Sequence, residues 1–262
     1  MTALPPRAAT PPLLLRHHRL HLALHTLKPG PGPALLLLHG LGEASPGALP
    51  PGYAAWPGAV HALDFTGHGK SDLPRGGGYS CEHLMADADI ALAHLGSATL
   101  AGRGLGGYVG LMLAGARPAL VRGVLVLDGP GLAGGVAVDS NPHIPVVDTA
   151  RRGAPDPYAI ADLATEMRPP RYAVNYARLA AQHAAQQSAQ QAAPVPPLAV
   201  CCREHPEWLL AVMAELGLAP TPLTEALATY AAHAAQAVPP TAPGSAGGAG
   251  GAGGAGGAGA RA

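Results

Sequence analysis

One stretch constrains this chain more than any other: Thr99 to Leu120, TLAGRGLGGYVGLMLAGARPAL. A short apolar run leads into Gly102-Arg103-Gly104-Leu105-Gly106, and a helix-patterned segment follows at once. That segment stops at Pro118, which cannot continue a helix. Three glycines within five residues demand a tight turn with backbone angles that side chains oppose. Gly106, Gly110 and Ala114 recur every four residues, on one helix face. The helix can then lie close against a sheet, despite the cost of glycine in a helix interior. A buried strand that turns directly into a closely packed helix belongs to a layered α/β fold.

The flanking pattern agrees. Ala34–Leu38 (ALLLL), Ala59–Leu63, Ala98–Ala101 and Gly123–Leu127 are continuous apolar runs, as strands buried on both faces read. Leu13–Leu27 alternates apolar and polar residues around Leu20–Leu24 and predicts hairpin strands. Ser80 is placed to cap a helix carrying Glu82 in its first turn and Leu84, Ala88, Leu92 and Leu95 on one face, closed by Gly96. Strands alternating with helices predict a doubly wound, mostly parallel sheet. After Pro130 the pattern fades. Residues 134–193 read as an irregular segment plus an Ala/Gln-rich helical, cap-like insertion. Residues 194–238 supply a further strand (Pro196–Cys202), a helix opened by Pro206 and closed by Gly217, and a last helix from Leu223. The proline-rich residues 1–12 read as a loose arm, and residues 239–262 as a flexible Gly/Ala tail.

Composition excludes several partners. Sixteen Lys+Arg balance sixteen Asp+Glu, which argues against a nucleic-acid binder or a polybasic membrane patch. No stretch nears the length of a membrane span, and the first residues lack the apolar core of a signal peptide. The three cysteines, Cys81, Cys201 and Cys202, match neither a disulfide framework nor zinc spacing. The histidines of Arg16–His25 alternate faces of a hairpin, so no metal and no cofactor is expected. A reduced, cytoplasmic setting is the expectation. Oligomeric state is not readable.

Four segments together resemble the α/β-hydrolase superfamily. ALLLLHGLGEAS looks like its third strand and His-Gly oxyanion loop, and VHALDFTGHGKSD like its fourth strand and following loop. LAGRGLGGYVGL looks like its nucleophile elbow, and VRGVLVLDGPG like the next strand. They stand in family order across residues 34–131, and residues 1–133 are read as the first part of that core. Coverage fades after residue 133, and the family's last strand has no counterpart. The resemblance implies a serine nucleophile where this chain has Gly104, so that position is vacant. Ser71, in GHGKSD, is the most tempting of the remaining serines, with loop hydrogen bonding the favoured reading.

The resemblance further implies an acid after the strand at Leu198–Cys202, where Glu204 is nearest and Glu207 next, or after the preceding strand, where Asp128 stands. Asp128 reads equally as a turn carboxylate. His233 is the candidate base, on the flank of a helix; His205 and His143 have less context. Arg103 reads as an ion-pair residue and His68 as structural. The oxyanion cradle implied by the resemblance is His39, Gly40, Leu41, Gly104 and Leu105. The backbone N–H groups of Leu41 and Leu105 are its donors, and they do not depend on the missing serine.

Three functions stay open on these residues. One is a protein with a degenerate centre that binds a small carbonyl or carboxylate ligand without turnover. Another is a divergent hydrolase acting through water activated by Asp128 or an unplaced histidine. The third is a protein-interaction domain using the apolar surface of residues 158–193. For the tail, deletion of residues 241–262 is expected to leave the melting temperature unchanged, because a Gly/Ala tract buries too little to offset its ordering entropy. Differential scanning calorimetry of the truncated chain checks this; a fall of many degrees would show that the tail docks.

Overall fold

The computed structural model describes residues 11–135, 147–148, 150–188 and 195–236. The arm before residue 11, His143 and the Gly/Ala tail lie outside them. Seven strands form one sheet in the order β1-β2-β4-β3-β5-β6-β7. They are β1 (Leu13–His17), β2 (Leu20–Lys28), β3 (Ala34–Leu38), β4 (Val60–Leu63), β5 (Ala98–Arg103), β6 (Val121–Leu127) and β7 (Leu198–Val200). β1 pairs antiparallel with β2, and β2 with β4; every later pairing is parallel. This is the doubly wound sheet the sequence pattern predicts, and among the described residues no strand follows β7.

Among the described residues six α-helices cover the sheet: α1 (Cys81–Leu95), α2 (Leu105–Ala116), α3 (Pro157–Thr165), α4 (Pro170–Ser188), α5 (Glu207–Leu216) and α6 (Leu223–Gln236). Strand alternation divides the core between the two faces. Leu36, Leu38, Val124 and Val126 pack with α1, α2, α4 and α5, whereas Leu35, Leu37 and Leu125 pack with α6 and Trp56. Ser80 caps α1 through its side chain, accepting from the His83 N–H at 3.3 Å. α2 is buried along nearly its whole length. Its glycines are what bring it so close: a Cβ on Gly106 would stand 2.5 Å from the Leu38 carbonyl oxygen, and one on Gly110 would stand 3.0 Å from Val124.

The insertion divides in two at Arg168-Pro169-Pro170. α3 lies against the loop that leads into α1. Its capping residue Asp156 accepts from the Tyr79 hydroxyl at 2.6 Å, Asp162 from the Gly78 N–H at 2.7 Å, and Glu166 from the Cys81 N–H at 2.9 Å. α4 joins the flanking layer between α2 and α5, and buries Ala173, Ala177 and Ala180 there. Much of the apolar surface expected to dock a partner is therefore part of the core.

The hairpin β1–β2 is fastened by three His–Asp pairs: His17 to Asp87 at 2.8 Å, His21 to Asp72 at 3.0 Å and His25 to Asp64 at 2.9 Å. Asp64 also accepts the Ser45 and Lys70 N–H groups. These donors outweigh the raising effect of its burial and hold its carboxyl well below the usual range. His17, His21 and His25 of the hairpin thus each meet a carboxylate. Among the described residues no group of three or more metal-ligating side chains converges, and no helix is long and apolar enough to cross a membrane.

Candidate functional site

β5 ends at Arg103, and Gly104 turns the chain into α2 with φ 52° and ψ −119°. Glycine takes this left-handed geometry without the penalty other residues meet. The Gly104 N–H still bonds to the Leu127 carbonyl at 3.0 Å, so the turn is stitched to β6 up to its apex. The space where a nucleophile would project is filled. A Cβ on Gly104 would stand 2.1 Å from the Pro130 carbonyl oxygen and 2.5 Å from the Gly129 carbonyl carbon. The loop after β6 runs through the space that the missing side chain leaves.

That loop also meets the two N–H groups that the resemblance implies as oxyanion donors. The Leu41 N–H and the Leu105 N–H both donate to the Pro130 carbonyl oxygen, each at 3.0 Å. A carbonyl oxygen has two lone pairs, and this one uses both. The glycines beside Pro130 permit the approach. Gly131 has φ 75°, and a Cβ there would stand 2.7 Å from the Leu41 Cβ; a Cβ on Gly129 would stand 2.8 Å from the Gly104 nitrogen. Further along, the Arg168 Nη1 donates to the Gly131 and Leu132 carbonyls, and the Trp208 indole N–H donates to the Leu132 carbonyl at 2.8 Å. Arg168 is buried, with its guanidinium 5.0 Å above the Tyr108 ring. Gly129-Pro130-Gly131 and Arg168 carry no signal as a unit in the sequence: DGPG reads as an ordinary turn, and Arg168 lies 38 positions from Pro130 (168 less 130).

Two buried histidines shape the loop that bears Leu41. His39 accepts the Phe65 N–H at Nε2 (3.1 Å), which leaves its ring proton on Nδ1, 2.8 Å from the Gly40 carbonyl. His68 repeats the arrangement, accepting the Gly42 N–H at Nε2 (3.3 Å) with Nδ1 3.1 Å from the Thr66 carbonyl. Burial first, and then His68, push the His39 pKa down to about 4; burial lowers His68 as well. Both rings are neutral braces. Glu43 accepts the Gly40 N–H at 3.0 Å and pairs with the Arg103 guanidinium through both of its oxygens. Arg103 therefore turns away from the cradle into an ion pair, as the sequence reading favours.

The remaining candidates are engaged by other partners or lie apart from the elbow. Asp128 accepts the Arg203 N–H at 2.9 Å, the Glu204 N–H at 3.2 Å and the Arg203 Nε at 3.2 Å. Against the raising effect of desolvation, these donors hold its carboxyl below the usual range. It ties the ends of β6 and β7 together, the work of a turn carboxylate. Glu204 supplies its amide to that knot, and its side chain is exposed. His205 is placed with Nε2 3.1 Å from the Cys202 carbonyl. His233 is a correction: it lines a cavity with Pro118, Val121 and Arg122 at the start of β6, whereas Gly104 and Asp128 lie at the opposite edge of the sheet. The helix stripe carrying Tyr230 and Ala234 fixes α6 in that position. Ser71 donates to the Asp64 carbonyl at 2.6 Å and accepts the Ala23 N–H at 2.9 Å, so it is a loop brace. Burial pushes the Cys201 thiol up to about 11 and Cys202 to about 12, away from nucleophilic thiolate.

Comparison with known proteins places these features in a family context. The model of the alpha/beta hydrolase family matches residues 35–249. An uncharacterised protein of Mycobacterium tuberculosis is 32% identical over 122 residues, which are 43% of this chain and 32% of that protein. An uncharacterised protein of Mycobacterium bovis matches with the same figures. The chain thus spans about a third of the length of these curated relatives. Among solved structures, a thioesterase domain from the curacin biosynthetic pathway superposes with a TM-score of 0.51, covering 85% of this chain and 97% of that one. Its identity is 15%, so the likeness is one of fold.

Gly104→Ala is expected to destabilise by about 1–3 kcal/mol, since it strains φ and drives Cβ into the Pro130 carbonyl. Gly104→Val should lose more. Guanidinium unfolding measures both, and an alanine variant as stable as its parent would show that Pro130 is not seated at residue 104. His39 gives a pH signature. Its folded pKa, about 4, lies below the ordinary 6.5. Its contribution is therefore complete above pH 6.5 and is lost as pH falls toward 4. A His39→Asn variant, though less stable at neutral pH, should show a flatter decline across that window in melts run at successive pH values.

Proposed function

The chain belongs to the α/β-hydrolase family, and on that premise we propose that it works without the family's covalent acyl-transfer chemistry. The observation that carries this reading is the Pro130 carbonyl, held by both the Leu41 and Leu105 N–H groups at 3.0 Å over a glycine at the nucleophile position. Acyl transfer needs a nucleophile, a base to take its proton and free donors for the developing oxyanion. Gly104 offers no attacking atom. No histidine among the described residues hydrogen-bonds the carboxylate of Asp128, the family-like acid. Its donors already belong to the protein. The chain's own carbonyl stands where a substrate carbonyl would be polarised, in a turn with no group to attack it.

Hydrolysis by activated water fares less well on the same geometry. Asp128 spends its lone pairs on the Arg203 and Glu204 amides and on the Arg203 guanidinium. A carboxylate so engaged is a poor general base. The reading that a small carbonyl or carboxylate ligand binds at Leu41 and Leu105 retains one supporting observation, since these amides hold a carbonyl oxygen at hydrogen-bond distance. Such a ligand would enter by exchange with Pro130, against the hold of Arg168 and Trp208 on the same loop.

The test is enzymatic. Hydrolysis of p-nitrophenyl acetate should stay within about tenfold of the buffer rate, less than 1.4 kcal/mol of barrier lowering. A serine-directed fluorophosphonate should label no residue stoichiometrically. Gly104→Ser should gain no esterase activity and should melt lower than the parent. Turnover by the parent, or strong activation by that one substitution, would overturn the proposal. Dose-dependent thermal stabilisation by sodium acetate, lost in Gly131→Val, would favour ligand exchange at the cradle.

A further inference from the structure

A well-formed cavity lies away from the elbow, between the hairpin turn and α1. It encloses about 540 Å³, within the range of about 300–1,000 Å³ typical of small-molecule sites. Its floor is a finished polar network. Asp87 accepts the Thr66 N–H at 2.8 Å, the Thr66 hydroxyl at 2.9 Å and His17 at 2.8 Å, so the only carboxylate lining the cavity is already engaged. Leu20, Pro74, Tyr79 and Ala86 give it apolar walls. Tyr79 is a fixed wall, because its hydroxyl is anchored on Asp156 at 2.6 Å.

The rim has the opposite character. His18, Arg19 and His83, all exposed, also line the cavity. With Asp87 and His17 satisfying each other, these three set the sign of the site, and all of them are donors. Arg19 has no acidic partner among the described salt bridges. The backbone adds an independent mark. The two-residue turn of the β1–β2 hairpin puts His18 at φ 53°, the one non-glycine residue at positive φ among those described. Hairpin turns favour glycine or asparagine in that conformation, and a strained side chain points to a role beyond the turn. The Arg16 Nε bond to the His18 carbonyl, at 3.0 Å, holds the strained turn in place.

We propose that this cavity is a binding site for a small amphipathic anion, with a phosphate or carboxylate head at Arg19, His18 and His83 and an apolar body against Leu20, Pro74 and Tyr79. The head group meets one fixed charge and two imidazole donors. The body displaces water from walls that offer it no hydrogen bonds. The site is separate from the occupied cradle at Leu41 and Leu105, and the proposal stands whether or not that cradle ever exchanges its carbonyl.

Isothermal titration with phenyl phosphate, 4-phenylbutyrate and the neutral 4-phenylbutan-1-ol tests this on the full chain. At least one of the two acids should bind at one site with a Kd below about 1 mM, and the alcohol at least about tenfold more weakly. Whichever acid binds more tightly identifies the head group. Arg19→Glu should abolish that binding without changing the melting temperature of the free protein, since Arg19 holds nothing else. His18→Gly should weaken binding while melting at or above the parent, because it relieves the strained φ. Equal binding of the alcohol, binding that survives Arg19→Glu, or no binding of either acid would overturn the proposal. A weakened affinity in His18→Gly that came with a lower melting temperature would mark His18 as structural and remove it from the site.

Discussion

Two N–H groups meeting one carbonyl oxygen organise the working edge of this protein. Leu41 follows β3, Leu105 opens α2 after β5, and Pro130 follows β6. Their shared bond closes three loops from three strands onto one atom. A buried N–H left without a partner costs about 1–3 kcal/mol. In a catalytic member of the family such donors stand ready for an oxygen that arrives with substrate. Here the Pro130 carbonyl supplies the oxygen that satisfies both donors. Gly104 is the condition for it, because any side chain at that position would occupy the volume of the Gly129 and Pro130 backbone.

The loop stays in place through groups that surround it rather than through its own sequence. Arg168 brings a positive charge into the interior and directs it at the Gly131 and Leu132 carbonyls, with the Tyr108 ring beneath. A buried cation is tolerated only where carbonyl dipoles and an aromatic face replace water. Trp208, packed edge-to-face on Tyr108 at 5.0 Å, bonds the same loop. On the other side, His39 and His68 hold the Leu41 loop as uncharged rings, each bridging one N–H and one carbonyl. The loops around Gly104 are thus braced from both sides by buried polar side chains.

The N-terminal hairpin shows a parallel economy. Its histidines stand densely in RHHRLHLALH, yet alternation puts them on different faces of the hairpin. In the fold, His17, His21 and His25 each meet an aspartate, namely Asp87 of α1 and Asp72 and Asp64 of the loop after β4. Those pairs fix the hairpin on the sheet edge, and the turn that joins its strands lines a cavity of about 540 Å³.

By itself, the sequence determined the elements and their order. Apolar runs of strand length, a helical repeat between Ser80 and Gly96, and a glycine turn between strand and helix are local periodicities, and local backbone preference obeys them. It determined as well that residue 104 cannot attack, because glycine has no reacting atom. Tertiary structure decided everything that depends on residues meeting across the chain. It seated Pro130 in the cradle, buried Arg168 behind it, engaged Asp128 with Arg203, and carried His233 to the far end of β6. None of these can be read from spacing, because the contact is made by the packing of whole elements. Strand order and helix placement set which loops share the C-terminal edge of the sheet, and only their close approach leaves one carbonyl, flanked by glycines, within reach of two waiting N–H groups.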